Sequence, residues 1–180
     1  MKTLKKIAVI ILVIPILVLL ISLFLPSTYR VARTVSMRAP ADTVFAQINT
    51  PRLWTNWTAW TTAKYPDMQV HFDGPDSGVG ATYRWEGKSS GQGALTLTRS
   101  EPDKAIGYNL DFEQGKFKSV GAITIEPVDG QLNVTWSNEG ELGSNPINRY
   151  FGLMMDRMMG PDFEQGLRNL KRQVEAPTGK

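Results

Sequence analysis

Oily and polar residues alternate along the middle of this chain in short runs broken by turn residues. Met68, Val70 and Phe72 alternate with Gln69, His71 and Asp73. Ala81, Tyr83 and Trp85 alternate with Thr82, Arg84 and Glu86, and Leu95 and Leu97 sit on the next run. Ile106, Tyr108, Leu110 and Phe112 follow, then a run with Ile123 and Ile125, then Leu132, Val134 and Trp136. Period-two alternation predicts strands with one buried face, and the short turns between them predict antiparallel neighbours. Asp129-Gly130 is the strongest of the hairpin turns. An earlier strand is predicted over 30–38, with Val31, Arg33, Val35 and Met37 on one side. A short helix carrying Val44, Phe45 and Ile48 follows it, and then Trp54, Trp57 and Trp60 fall at steps of three, on one face if that piece is helical.

After the last strand the period changes to that of a helix. Ile147, Phe151, Met154, Met155, Met158 and Met159 lead into Phe163, Leu167, Leu170 and Val174. Read as one face, they make a helix over 146–175, roughly 40 Å long. Pro146 suits its first turn, with Asn145 or Ser144 as cap, and Gly160-Pro161 is expected to kink or break it. One strand, short helices, about six strands and one long helix make an α+β class, with the sheet curved around the terminal helix.

The front of the chain is different. Residues 7–25 carry no charge. As a helix they would span about 29 Å, close to the hydrocarbon thickness of a bilayer. Lys2, Lys5 and Lys6 precede them, which predicts a cytoplasmic N-terminus over 1–6 and a domain outside the membrane, facing the periplasm in a bacterial inner membrane. A cleaved signal peptide would have a shorter apolar region and a small-x-small exit, whereas this run leaves through Phe24-Leu25-Pro26-Ser27. The expected organisation is an uncleaved anchor over 7–25, a linker over 26–29, one domain over 30–175 and a tail over 176–180.

Charge and composition then narrow the chemistry. Of 20 Lys and Arg residues three precede the apolar run, which leaves 17 against 17 acidic residues in the rest of the chain. A near-neutral domain gives no electrostatic footing for nucleic acid. There is no cysteine, hence no disulfide, thiol nucleophile, thiolate metal site or acylated lipoprotein signal. The single histidine, His71, is out of phase with its oily neighbours and points outward, as do Arg84, Glu86 and Asp111. No catalytic residue, metal ligand or cofactor motif can be assembled from these. The inward set is aromatic and sulfur-bearing instead: Trp57, Trp60, Tyr83, Trp85, Tyr108, Phe112, Trp136, Met154 and Met158 are the candidate lining of an apolar pocket.

Several local phrases, in this order, resemble the START-like or SRPBCC superfamily, and within it the bacterial polyketide cyclase/dehydrase type. They are Met37-Arg38-Ala39-Pro40-Ala41 with Val44-Phe45, the three tryptophans, Gly74-Pro75 with Gly78-Val79-Gly80-Ala81 and Tyr83-Arg84-Trp85, then Val134-Thr135-Trp136, and last Asp162-Phe163 with Gly166-Leu167, Leu170 and Lys171. The resemblance implies a helix-grip fold, of the START and Bet v 1 kind, with about seven strands around the C-terminal helix and an enclosed apolar cavity. It implies a hydrophobic small molecule or lipid as partner. Three functions stay open: a membrane-anchored, non-catalytic binding module; a cyclase or dehydratase-like enzyme using Tyr83, Tyr108, Asp111 or Glu86; and an envelope interaction or stress-response module.

Overall fold

The computed structural model describes residues 2–143 and 145–176, with side chains from residue 11 onward. The Ser144 alternative for the cap, most of the expected tail and the side chains of Lys2, Lys5 and Lys6 lie outside the described residues. In chain order the elements are α1 (Lys2–Phe24), β1 (Thr28–Met37), α2 (Ala41–Ile48), α3 (Pro51–Trp54), β2 (Gln69–Asp73), β3 (Thr82–Gly87), β4 (Gly91–Glu101), β5 (Ala105–Phe112), β6 (Phe117–Val128), β7 (Gln131–Glu141) and α4 (Asn148–Glu175).

The seven strands form one antiparallel sheet in the order β1-β7-β6-β5-β4-β3-β2. This is the α+β class expected from the alternation, in the helix-grip arrangement that the resemblance implied. The β6–β7 hairpin closes through Asp129 (φ 48°) and Gly130 (φ 75°), two left-handed residues that match the twist of the flanking strands. A register shift between Leu97 and Arg99 bends β4.

Register puts the oily residues of each strand on one concave face. One row across it reads Leu97, Tyr108, Gly121, Asn138, Val31. The next reads Leu95, Leu110, Ser119, Gly140, Tyr29, and a third Trp85, Gly93, Phe112, Phe117. The convex face carries the charges. Arg84 pairs with Asp73 at 2.7 Å, and the rings and carboxylates of His71, Glu86 and Asp111 are exposed there as expected.

Several expectations need correcting. The strand begins at Thr28, so the linker is only Pro26-Ser27. The long helix begins at Asn148 rather than Pro146, with the Asn145 side chain accepting from the Ile147 N–H at 3.0 Å. It continues unbroken through Pro161. Arg33 explains part of this: its guanidinium lies so close to Gly160 that a Cβ there would be 2.0 Å from Nη2, and it reaches past to Asp156 at 2.7 and 3.0 Å. The three tryptophans do not share a helix, because α3 ends at Trp54 and Trp57 and Trp60 lie in the turns beyond.

Among the described residues no helix is long and apolar enough to cross a membrane. The expected span over 7–25 falls partly outside the described side chains. The helix itself runs 23 residues, about 34 Å, with its side chains described from residue 11 onward. Its large apolar side chains are uncovered, from Val18 at 39% to Phe24 at 89% exposed.

Candidate functional site

Where an enclosed cavity was expected, aromatic rings fill the space. Trp136 stacks on Phe163 of α4 with 4.3 Å between centroids and 2° between planes. Trp54 and Trp57 close on the same indole at 5.8 and 5.2 Å, and Trp60 at 5.9 Å. Trp57, Tyr108 and Trp136 of the expected pocket lining are therefore core residues, each at most 2% exposed. This is edge-to-face and stacked packing that the chain obtains by bringing β7, the Trp57 turn and the second half of α4 together.

A polar seam runs through this core. The Trp136 indole N–H donates to the Tyr108 hydroxyl at 2.9 Å. Tyr29 donates to Asn138 Oδ1 at 3.0 Å, and Asn138 Nδ2 donates to the Ser119 hydroxyl at 3.1 Å. Asn138 is fully buried. Burial pushes the Tyr108 hydroxyl up to about 12, against hydrogen bonds from Trp136 and Asn138 that pull the other way. Burial also raises Tyr29, opposed by Ser119. Tyr83 is pushed up to about 12 by desolvation, and its hydroxyl is buried without a partner among the described residues. All three are neutral hydroxyls at ordinary pH.

Beyond the seam the floor opens. Leu110, Ser119, Trp85 and Phe112 are half-buried, and Phe117 is exposed. Tyr83, Trp85 and Phe112 form a stacked ladder, 5.6 and 6.3 Å between successive centroids. α4 packs chiefly along β1, towards the opposite edge of the sheet. Ile147, Phe151, Met154 and Met158 are 52–61% exposed, whereas Met155 and Met159 turn down onto the core. At 3.6 residues per turn, Phe151 and Met158 point within about 40° of Asp162 and Asn169. Those two meet the 57–64 segment, Asp162 through Lys64 Nζ at 2.8 and 3.0 Å and Asn169 by donating to the Trp57 carbonyl at 3.0 Å. The same side of the helix, a few turns earlier, has no such cover. Uncovered stripe and open floor are thus two bare apolar surfaces, and the groove is the space they bound.

The expected site residues divide accordingly. Met154 and Met158 are exposed on the α4 stripe and Trp85 and Phe112 are half-buried on the floor; Tyr83, Trp57, Tyr108 and Trp136 are buried, and Trp60 is half-buried at the edge of the core. Sequence reasoning left out Phe117, Phe151, Ser119, Tyr29 and Asn138. Asn138 could have been found, because it continues the inward phase of Leu132, Val134 and Trp136.

Arg33 faces inward but is neutralised by Asp156, which holds the guanidinium pKa up while its own falls below the usual carboxylate range. Among the described residues no group of three or more His, Asp or Glu could hold a metal ion.

Residues 28–175 match the model of a protein family described as polyketide cyclase / dehydrase and lipid transport. No curated protein matches the chain. Among solved structures it is similar to the Aha1 dimer from Colwellia psychrerythraea (15% identity, TM-score 0.56, 83% of this chain and 98% of that one). It is similar to the di-domain ARO/CYC StfQ from the steffimycin biosynthetic pathway (9%, 0.64, 85% and 52%). A third is truncated norcoclaurine synthase from Thalictrum flavum (12%, 0.63, 83% and 94%). At these identities the likeness is one of fold.

Proposed function

The chain belongs to the polyketide cyclase / dehydrase and lipid transport family, and on that footing we propose that it is a membrane-tethered, non-catalytic carrier of an apolar small molecule or lipid chain. The observation that carries this reading is the uncovered stripe of Ile147, Phe151, Met154 and Met158, together with the incompletely covered Trp85, Phe112 and Phe117 of the sheet. A soluble domain gains roughly 1.5–3 kcal/mol for each large apolar side chain it takes from water, so a bare row of four favours an occupant. Methionines suit guests of variable shape. The tether is α1, whose uncharged stretch over 7–25 reaches bilayer length when the residues before 11 are counted, behind Lys2, Lys5 and Lys6. The domain then lies against the membrane surface, with the start of α4 packed on the end of α1.

The full chain, purified from membranes, is to be extracted with solvent and titrated with a fluorescent long-chain fatty acid. We expect a co-purifying apolar compound, and affinity lowered at least tenfold in the Met154→Asp/Met158→Asp double variant. Equal binding by that variant, or no binding by the native chain, overturns the reading.

One observation favours a cyclase-type alternative: the unpartnered, buried hydroxyl of Tyr83. It would serve as a neutral hydrogen-bond donor to a carbonyl oxygen. Unchanged ligand turnover in Tyr83→Phe would remove it.

A further inference from the structure

We propose that the cleft between the end of α1 and the start of α4 is an oxyanion site for the phosphodiester of a lipid headgroup. The cleft measures about 200 Å³ and is lined by Pro26, Thr28, Tyr29, Arg30, Arg149 and Leu153, with Gly152 at its back. It adjoins the polar seam through Tyr29 but shares no residue with the tryptophan cluster or with the Met154–Met158 stripe.

Arg149 is the centre of the site. Its Nη1 donates to three carbonyls at the end of α1: Ser22 at 3.1 Å, Leu23 at 3.0 Å and Leu25 at 3.3 Å. The Ser22 carbonyl also accepts from the Leu25 N–H at 3.2 Å, the Leu23 carbonyl lies in the last turn where intrahelical partners run out, and the negative end of the helix dipole favours the cation there. Tyr150 adds a fourth hold, donating to the Val18 carbonyl at 2.7 Å. The guanidinium is thereby fixed by one nitrogen.

The other edge is left over. Arg149 Nε is buried and has no hydrogen-bond partner among the described residues. In a guanidinium the Nε–H and one Nη2–H lie parallel along one edge, at the spacing that matches two oxygens of a phosphate or carboxylate. A buried donor on a charged group is costly to leave unmade. Arg30 brings a second guanidinium to the lining, paired with Glu139 at 3.2 Å. Pro26 and the exposed Leu153 give an adjoining apolar wall. Two arginines beside apolar surface, at the end of a helix that is uncharged from residue 7 on, fit the phosphate and first carbons of a lipid. The lipid source rests on the tether reading above; the oxyanion chemistry does not.

The test uses the full chain in dodecyl maltoside micelles, titrated with phosphatidylglycerol, with diacylglycerol and with inorganic phosphate, and read by native mass spectrometry. Phosphatidylglycerol should bind at least tenfold tighter than diacylglycerol. Arg149→Lys keeps the charge and a donor for the α1 carbonyls but loses the fork, and should lower phosphatidylglycerol affinity about tenfold, the loss of one charge-assisted hydrogen bond. Arg30→Gln, which touches no α1 carbonyl, should lower it by a smaller factor, about threefold. The proposal is overturned if Arg149→Lys binds phosphatidylglycerol as the native chain does, if diacylglycerol binds equally well, or if inorganic phosphate displaces the lipid at equal concentration. Fatty-acid titration of the same variants separates the two readings. Unchanged fatty-acid affinity in Arg149→Lys assigns a lost headgroup signal to the cleft, and a failure of the groove leaves the headgroup measurement standing.

Discussion

The indole N–H of Trp136 donates to the hydroxyl of Tyr108 at 2.9 Å, with both side chains 2% exposed. Tyr108→Phe keeps the ring and removes the acceptor, leaving a buried N–H without a partner. The expected loss is about 1–3 kcal/mol, read as a shift of the urea midpoint at constant slope. A midpoint equal to that of the native protein would show that the bond contributes nothing.

Tyr108 also occupies the space over Gly121. A Cβ on that residue would stand 2.1 Å from the phenol Cζ and 2.2 Å from its oxygen. Gly121→Ala should therefore cost about 1–3 kcal/mol by overpacking. In the Gly121→Ala/Tyr108→Ala double variant the two costs should sum to less than their separate values, since the clash is gone. Simple additivity in thermal unfolding would refute the contact.

Alkali should destabilise this protein in a defined window. Tyr83 and Tyr108 are neutral in the fold up to about pH 12, against an ordinary value of 10.0. The unfolded chain loses those protons first, so their contribution is whole below pH 10 and disappears as pH rises towards 12. Absorbance titration of the phenolates should show a late-titrating pair, absent in Tyr83→Phe/Tyr108→Phe. Tyrosines that all titrate near 10 in the folded protein would contradict the burial.

Acid should release Arg33 from Asp156. The Arg33 guanidinium holds this carboxyl below its ordinary value of 3.8. The pair's contribution is present above that value and is lost as pH falls through the lowered one. Asp156→Asn should be less stable than the native chain at neutral pH, and the difference should vanish in stronger acid. A difference independent of pH would point to packing against Gly160 instead.

Two apolar residues on α4 should behave in opposite ways. Phe163 is 1% exposed and stacked on Trp136, so Phe163→Ala should cost about 3–5 kcal/mol. Met158 is 61% exposed, so Met158→Asp should leave the thermal midpoint nearly unchanged while weakening fatty-acid binding. Loss of stability in Met158→Asp would mean that the stripe is packed.

The sheet could be read from the chain because alternation, turns and the Asp129-Gly130 hairpin all point to the same pairing. The groove was read less well, for a physical reason. Periodicity reports which residues share a face of a helix but not what stands opposite. Met154 and Met155 are neighbours in the sequence pattern, yet one is 52% exposed and the other rests on the core. Likewise the alternation places Trp85 and Trp136 inward alike, and only the path of the 57–64 segment decides that one lies under cover and the other at the open end. Pro161 misled because its cost is local, whereas the packing of Phe163, Gly166, Leu167 and Leu170 holds the helix together on both sides. The Arg149 cleft left no periodic trace, since it joins Ser22 to Arg149 across more than a hundred residues.

The pairing of β1 with β7 has a consequence for synthesis. Thr28 sits opposite Glu141, and no strand made between them touches β1 in the sheet. Emerging from the ribosome, the first strand has no neighbour until nearly the whole chain has followed it. Its hydrogen-bonding edges must wait open meanwhile, and closure of so long a loop makes this the slow, late step of folding.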